Sequence, residues 1–413
     1  MKTNNDFIVR IRALHANFKK IRHKKRFLIV SFEEDGLQCK RVQYDPIARV
    51  TQEIPGFFLK GITEKNIRNN KALRIFLRLL YFPFPYKICV LVPHYWGGSF
   101  YYTLALQREH KENPITQEEL DIFFSKQLGK VIEENKKEIM KRTGLDDLDS
   151  LMVGNNITSM RVDDSCISMR ENQQAPIAMI GKTVLFGFTQ TFFKRPVFTA
   201  IQRSLPRRAK LHSFFQDGFP VPLAMIHHVL KEQTKTKPFI VALVRDKGTN
   251  VFVCSPESIR YYDSIPIGYQ SIYEILNTKL GIDFDSFLRV IHKVGNNATS
   301  AHVTKHIDQI LSQEMHRLYN GLQVIKKETK SASIALDPGK LGIYIRTQPT
   351  LKRFIIPKES ILFFDDNTII PLHDSLRTTA IIACMLRLPR KHTINHTALK
   401  HIRWLIPHAV EKS

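Results

Sequence analysis

The sequence predicts an α/β protein of two or three domains, and three observations lead to this prediction. The chain has 413 residues, which is enough for more than one buried core. Short apolar runs typical of β-strands recur along the chain, interspersed with helical patterns of apolar residues. The clearest unit begins with two such runs, Phe239–Val244 and Val251–Cys254, joined by a turn that contains Gly248. A helical pattern follows it and is closed by Gly281, as expected of a glycine just past a helix end.

Composition limits the class of protein. The hydrophobic fraction of 43% is ordinary for a soluble globular protein. No apolar run reaches the roughly 20 residues that a membrane-spanning helix needs, and the N-terminus lacks the pattern of a signal peptide. Five cysteines are scattered along the chain without a CxxC pair. This arrangement argues against a disulfide framework or a thiolate zinc site and fits a reducing cytoplasm.

The positive charge is large and is concentrated at the two ends of the chain. The formal net charge is +24. Residues 1–26 contain nine Lys or Arg and one Asp, a net charge of +8. Residues 387–413 contain six Lys or Arg and one Glu, a net charge of +5. Basic ends of this kind indicate an anionic partner, which could be phospholipid, nucleic acid or an acidic protein.

Capping signals and apolar periodicity predict further elements. The pattern Thr116-x-x-Glu119 is a capping box, so a helix should run from there to about Thr143. Thr63 is expected to be the N-cap of a helix that extends to Leu80. Other predicted elements are strands at Arg26–Phe32 and Leu37–Tyr44 and helices at Arg195–Ser204 and Leu376–Leu388.

Five motifs stand in a fixed order in the first two-thirds of the chain. They are Pro114–Glu119 before the long helix, Met160–Asp164, Ala175–Lys182 before a β-rich run, Phe219–Leu230, and the Phe239–Ile282 unit. In order and spacing, this series resembles FtsA, the actin homologue of bacterial cell division, and its relative PilM of type IV pili. The resemblance extends from about Arg26 to Ile282.

The resemblance implies a two-lobed actin/Hsp70-like fold of the ribonuclease H-like class, with an inserted α+β domain in the first lobe. The first lobe would comprise residues 26–94 and 206–237, interrupted by the inserted domain at 95–205. The second lobe would be 238–390. A basic amphipathic N-terminal helix at 1–25 and an amphipathic tail at 391–413 would flank the two lobes.

The first phosphate-binding hairpin of this family is altered here. In the family, glycine-containing hairpins hold the phosphates of ATP, and a carboxylate positions hydrated Mg²⁺. The matching hairpin has Ser31 in place of the leading Asp and Glu33 in place of a glycine. Carboxylates next to a triphosphate would repel it in the absence of an intervening cation.

The other two nucleotide loops depart from the family pattern as well. The second hairpin keeps a glycine and a threonine but lacks the opening carboxylate, and Pro338 removes a donor from the adenine-side loop. We therefore expect that ATP binding and hydrolysis have been lost and that no cofactor is needed. The alternative is a residual ATP–Mg²⁺ site with Arg245 or Lys247 in place of the metal. Its candidate binding residues are Gly248, Thr249, Gly268 and Gly339.

Amphipathic segments at both ends are candidates for membrane contact. Each places apolar residues along one helix side with cations on the others, and the C-terminal one resembles the membrane-targeting sequence of FtsA. Each segment could instead pack on the body of the protein. The predicted membrane-facing residues are Phe7, Ile11, Leu14 and Phe18 near the N-terminus, and Leu399, Ile402, Trp404, Leu405 and Ile406 near the C-terminus.

Two other motifs resemble functional sites without meeting their requirements. Gly181-Lys182-Thr183 matches the end of a Walker A loop, but Pro176 stands where that motif needs a glycine. His302 and His306 are one helical turn apart, yet no third ligand lies at a useful spacing. We expect neither a P-loop nor a metal site, and no residue is identified as catalytic.

The leading hypothesis is an FtsA-like actin-fold protein of cell division, a pseudo-ATPase peripheral to the cytoplasmic face of the inner membrane. It would tether a filament or assembly machine there. The inserted domain would dock a partner or a second copy, and the second lobe would meet a tubulin-like division filament. One alternative is a PilM-like assembly platform for a pilus or secretion system. Another is a nucleic-acid-binding protein, which the charge favours but no recognised motif supports.

Overall fold

The structure is a computed structural model. It describes residues 25–33, 36–45, 50–63, 66–67, 70–81, 86–163, 165–167, 176–205, 210–231, 237–341, 344, 363–364, 368–369, 376–387 and 393–402. Within these residues, no helix combines the length and the apolarity needed to cross a bilayer.

Strands and helices alternate along the described chain. The strands are β1 (Lys25–Glu33), β2 (Gly36–Asp45), β3 (Val50–Lys60), β4 (Lys87–Val92), β5 (Gly97–Gln107), β6 (Ser150–Val162), β7 (Ser165–Ile167), β8 (Thr183–Lys194), β9 (Lys210–Gln216), β10 (Phe239–Val244), β11 (Thr249–Ser255), β12 (Ser258–Ile265), β13 (Ser333–Asp337), β14 (Phe363–Phe364) and β15 (Thr368–Ile369). The helices are α1 (Lys71–Tyr81), α2 (Gln117–Thr143), α3 (Arg195–Ser204), α4 (Pro220–Lys231), α5 (Tyr269–Leu280), α6 (Phe284–Gly295), α7 (Ala301–Glu328), α8 (Leu376–Arg387) and α9 (Thr393–Lys400).

Two copies of one strand pattern define the two lobes. In the first lobe, β1, β2 and β3 form an antiparallel meander, and β4 and β9 continue the sheet parallel to β1, in the order β3-β2-β1-β4-β9. In the second lobe, β10, β11 and β12 form the same meander, and β13 lies parallel to β10. A meander extended by parallel strands, present twice, is the two-lobed actin-like fold. The predicted fold class is confirmed.

The sheets of the two lobes are covered on both faces, as largely buried mixed sheets require. Between the lobes, α4 and α8 pack together and bury one core with the facing sides of both sheets. The outer face of the first-lobe sheet is covered by α1 and α3. The outer face of the second-lobe sheet is covered by α5, α6 and α7. The two lobes therefore share one continuous apolar core.

The inserted domain is attached to both lobes. Its chain leaves the first lobe after β4, but its strands continue the sheet of the second lobe in the order β13-β10-β11-β12-β5-β8-β6-β7. At the junction of β12 and β5, Ser258 lies opposite Tyr102 and Ile259 opposite Tyr101. The backbone N–H of Thr103 also donates to the carbonyl of Glu257 at 2.8 Å. This domain, whose chain comes from the first lobe, is consequently joined to the second lobe by backbone hydrogen bonds.

One predicted helix start is confirmed and another is wrong. The hydroxyl of Thr116 accepts a hydrogen bond from the N–H of Glu119, and α2 ends at Thr143, so the long helix is as predicted. In contrast, α1 begins only at Lys71, where Asn70 Oδ1 accepts from the N–H of Leu73 at 2.9 Å. Thr63 lies in a turn well before the helix. A better-placed cap, Asn70, therefore decides where α1 begins.

Arg108 holds one corner of the inserted domain together. Its side chain is 3% exposed, and Nε lies 2.8 Å from Oε1 of Glu119. Nη1 donates to the carbonyl of Gly181 at 2.9 Å and Nη2 to that of Asn113 at 2.9 Å. One guanidinium thus joins the end of β5, the start of α2 and the segment before β8.

We expect Arg108→Ala to lower the free energy of unfolding by about 3 kcal/mol, because it leaves buried acceptors without their cation. Urea unfolding followed by circular dichroism measures the loss. The control is Lys136→Ala, which removes a pair to Asp147, a side chain that is 70% exposed. That exposed pair is worth less than about 1 kcal/mol. Equal losses in the two variants would contradict the role assigned to Arg108.

Candidate functional site

The β10–β11 hairpin lies close to the end of the first-lobe strand β9 and is held by the start of α5. Within the hairpin, the N–H of Arg245 donates to the carbonyl of Gly248 at 2.8 Å. The N–H groups of Tyr269 and Gln270, at the start of α5, donate to the carbonyls of Arg245 and Asp246 at 2.9 and 2.7 Å. Amides at a helix N-terminus are a common binding site for phosphate. Here two of these amides are already bonded to the hairpin backbone.

Gly248 and Thr249, two of the predicted nucleotide residues, lie at the end of this hairpin turn. Thr249 is fully buried, and its hydroxyl donates to the carbonyl of Ile267 at 2.7 Å. A Cβ at Gly248 would stand 2.8 Å from both the carbonyl oxygen of Ile265 and Oγ of Ser264. Both residues therefore have packing roles that need no ligand.

Gly268 and Gly339, the other two, pack around the same hairpin. A Cβ at Gly268 would stand 2.5 Å from the carbonyl oxygen of Asp246 and from the backbone nitrogen of Gly248. Gly339 has φ +52°, and a Cβ there would overlap the hydroxyl of Tyr269. The structure thus brings all four predicted residues to one place. The expected loss of ATP binding, and the alternative of a residual ATP site at these residues, both stay predictions.

Arg245 lies between carboxylates of the two lobes. Its Nε is 3.8 Å from Oδ2 of Asp217, which follows β9 in the first lobe. Its Nη1 is 3.5 Å from Oδ2 of Asp337, at the end of β13 in the second lobe, and donates to the carbonyl of Val244 at 3.0 Å. The three side chains are only 10–18% exposed. A fixed cation consequently stands between two acidic groups at the hairpin.

The charge of Arg245 is secured by these neighbours. Burial alone would lower the pKa of its guanidinium, but the carboxylates of Asp337 and Asp217 outweigh burial, and the pKa is raised. The guanidinium therefore carries its positive charge in this position. This fixed positive charge partly neutralises the carboxylates of Asp217 and Asp337.

A second polar cluster lies between the inserted domain and the second lobe. The guanidinium of Arg142, in α2, lies 4.9 Å from the ring centroid of Tyr261, in β12. Nη2 of Arg142 donates to the carbonyl of Gly97 at 3.2 Å and is 3.4 Å from Oε1 of Gln216. The ring of His94 stacks on the same tyrosine at 5.2 Å with an interplanar angle of 13°. Arg142 therefore contacts the inserted domain, the second lobe and the end of β9.

His94 is neutral in this cluster near neutral pH. Burial and then the cation of Arg142 lower its pKa, against the opposite effects of Asp263 and Asp217. The pKa of Arg142 itself is lowered by burial, which Glu138 partly offsets. The stack on Tyr261 therefore consists of one neutral ring and one cation, which suits cation–π contact.

The Gly181-Lys182-Thr183 motif forms a turn of the inserted domain. The N–H groups of Lys182 and Thr183 donate to Oδ1 of Asp163 at 2.9 and 2.8 Å. The amides that a P-loop would turn to phosphate are thus bonded to a carboxylate. Among the described residues, no group of three or more His, Cys, Asp or Glu could hold a metal ion.

The predicted membrane-facing residues are only partly within the described chain. Ile402 is 2% exposed and Leu399 is half-buried, both packed in the core of the inserted domain. Lys400 Nζ lies 2.6 Å from Oδ2 of Asp121, which anchors α9 on α2. In this structure Ile402 and Leu399 therefore belong to a packed core rather than to a lipid-facing surface. Phe7, Ile11, Leu14, Phe18, Trp404, Leu405 and Ile406 lie outside the described residues.

Comparisons with known proteins place the chain near actin-like structures at very low identity. No protein-family model matches the sequence, and no curated protein matches it. The PilM–PilN type IV pilus biogenesis complex is similar with a TM-score of 0.46 and 10% identity, over 92% of this chain and 98% of that one. The ethanolamine utilization protein EutJ from Carboxydothermus hydrogenoformans is similar with a TM-score of 0.38 and 8% identity, over 88% of this chain and 89% of that one. A non-polymerisable quadruple mutant of pCBH ParM is similar with a TM-score of 0.35 and 10% identity, over 79% of this chain and 92% of that one.

Proposed function

We propose that this protein is an actin-fold scaffold without ATPase activity that tethers a filament or an assembly machine at the cytoplasmic face of the membrane. The observation that carries the proposal is the Arg245 guanidinium between Asp217 and Asp337. In the family that the sequence resembles, backbone amides around this hairpin hold the phosphates of ATP and a carboxylate positions Mg²⁺. In this chain a side-chain cation occupies the acidic site, and the amides of α5 are bonded to the hairpin.

The same contact supports a role as a permanent platform. Because Asp217 belongs to the first lobe and Arg245 to the second, the protein's own charges join the lobes at the hairpin. The β12–β5 pairing adds a second link through the inserted domain. A protein joined in this way would present one constant surface to its partners instead of cycling between nucleotide states.

The proposed partners follow from the resemblance and from the charge. The inserted domain would dock a partner or a second copy. The second lobe would meet a tubulin-like division filament, or pilus assembly proteins if the chain serves a PilM-like platform. The net charge of +24 suits an anionic membrane surface.

Equilibrium binding of a fluorescent ATP analogue with Mg²⁺ tests the loss of nucleotide binding. We expect no saturable binding by the full chain at micromolar protein, because Arg245 already neutralises Asp217 and Asp337. An actin-fold ATPase measured in parallel serves as the positive control. Micromolar, Mg²⁺-dependent affinity would overturn this part of the proposal.

Flotation with anionic vesicles tests the tether. The full chain should float with vesicles that contain phosphatidylglycerol, and deletion of residues 1–24 or 403–413 should weaken flotation. A full chain that ignores anionic vesicles yet shifts DNA in a gel at moderate salt would be a nucleic-acid-binding protein, and the tether would be rejected.

A further inference from the structure

The outward face of α1 carries two large apolar side chains that the fold leaves exposed. Ile75 is 59% exposed and Leu79 is 57% exposed, and they stand one helical turn apart. Among the described residues, the other exposed large apolar side chains occur without such a partner one turn away. Single exposed apolar residues are normal on a protein surface, whereas an adjacent pair on one helix face needs a reason.

The fold itself does not need this pair. The inner face of α1 is provided by Leu73 and Leu77, which are fully buried against the first-lobe sheet. Phe76 packs edge-to-face on Phe57 of β3, with ring centroids 6.4 Å apart. The helix is therefore anchored without Ile75 or Leu79.

Cations lie beside the exposed pair on the same side of the helix. Lys71, Arg74 and Arg78 are all exposed, and α1 contains no acidic residue. At 100° per residue, the three cations and the two apolar residues occupy one continuous outward sector. We call these five residues the α1 face. It combines apolar side chains with positive charge, as helices that lie on anionic lipid do.

We propose that the α1 face is a contact site for an anionic phospholipid surface. This inference rests on the proposed tether and assigns it a site in the folded body of the chain. The site would act with the basic ends, because stable membrane anchoring takes more than one weak signal.

Charge opposes occupation of this face by the chain's own basic N-terminal segment. Residues 1–26 carry a net charge of +8, so they would be repelled by Lys71, Arg74 and Arg78. A folded acidic protein would need a surface matched to a single convex helix. A fluid anionic surface conforms to such a helix and also takes up the two apolar side chains.

Vesicle flotation of paired variants in the full chain tests the assignment. Vesicles contain phosphatidylglycerol and phosphatidylcholine in equal parts, with pure phosphatidylcholine as the neutral comparison. We expect Arg74→Glu with Arg78→Glu to weaken binding by about tenfold or more, since each cation near the surface adds to affinity. Ile75→Ser with Leu79→Ser should weaken it by several-fold. Matched controls on α7, Lys305→Glu with Lys327→Glu and Val303→Ser with Val324→Ser, should change binding less than twofold. The lysine pair changes the charge equally, and the valine pair removes a somewhat smaller apolar area.

A fluorescence readout separates lipid insertion from charge attraction. In a Cys166→Ser background, an environment-sensitive dye on Leu79→Cys should shift to the blue when anionic vesicles are added. The same dye on Val324→Cys, an exposed position of α7, should not shift. The other four cysteines of the described chain are buried, so labelling is confined to the new site.

The outcomes distinguish this inference from the tether. If the wild-type chain floats and the α1 variants float equally well, the α1 face is rejected while the tether stands. If the serine variants bind vesicles normally, or if the glutamate variants lose binding to poly-glutamate as strongly as binding to vesicles, the face attracts anions without taking up lipid and the lipid assignment is overturned. If the wild-type chain binds no anionic vesicle, both proposals fail together.

Discussion

The Gly268→Ala variant is expected to lose about 3 kcal/mol or more of folding free energy. The added methyl group would meet backbone atoms on three sides, the carbonyl oxygens of Arg245 and Asp246 and the nitrogen of Gly248. Backbone cannot rotate away as the end of a side chain can, so the hairpin and the start of α5 must separate. Urea unfolding at constant temperature measures the loss.

Gly129→Ala is the matched control for this change. Gly129 lies within α2, and a Cβ there would have no neighbouring heavy atom within 4 Å. Alanine should therefore stabilise the protein by up to about 1 kcal/mol, because it is the better helix former. If Gly268→Ala were as stable as the wild-type protein, the close packing of the hairpin on α5 would be refuted.

The sequence predicted those parts of the fold that local signals specify. The α2 helix follows from its capping box at Thr116 and its apolar spacing. The β10–β11 hairpin follows from two apolar runs around a glycine-containing turn. In both cases the residues that decide the structure are within a few positions of one another, so periodicity alone is informative.

Strand β12 could not be predicted from its own sequence. Its sequence from Ser258 to Ile265 alternates buried and exposed positions irregularly and contains Arg260 and Asp263, so it gives no strong strand pattern. It forms because β11 pairs on one side and the inserted domain on the other. That pairing joins residues more than 150 positions apart, as in the contact of Thr103 with Pro256. A contact between residues this far apart cannot be recognised from any short segment of the sequence.

The candidate site was likewise only half predictable. Gly248, Thr249, Gly268 and Gly339 were found through the resemblance. The three glycines stand out in the sequence because a residue without Cβ allows the backbone to come close to other groups. Arg245 was named only as an alternative, and its partners were missed. Asp337 is 92 positions away along the chain, and no spacing rule connects it to Arg245. A lone arginine in a turn is ordinarily solvated, so only the tertiary fold gives it this role.

Arg245→Ala is expected to cost about 3 kcal/mol of folding free energy, because it leaves the buried acidic groups of Asp217 and Asp337 facing each other without a cation. Urea unfolding in buffer free of divalent ions measures the loss. Adding Asp217→Asn and Asp337→Asn to the variant should restore more than half of it, since the repulsion disappears with the charges. A triple variant no more stable than Arg245→Ala would show that packing, not charge, is the function of this side chain.

The same variant should acquire a response to Mg²⁺ that the wild-type protein lacks. Carboxylate oxygens are ligands that Mg²⁺ prefers, and removal of the guanidinium opens the space between Asp217 and Asp337. A cation that binds only the folded state at ten times its dissociation constant stabilises that state by about 1.4 kcal/mol. We therefore expect millimolar Mg²⁺ to raise the unfolding midpoint of Arg245→Ala, but not that of the wild-type protein or of the triple variant. An equal rise in all three would mean that Mg²⁺ acts elsewhere, and Arg245 would then not stand in for a metal ion.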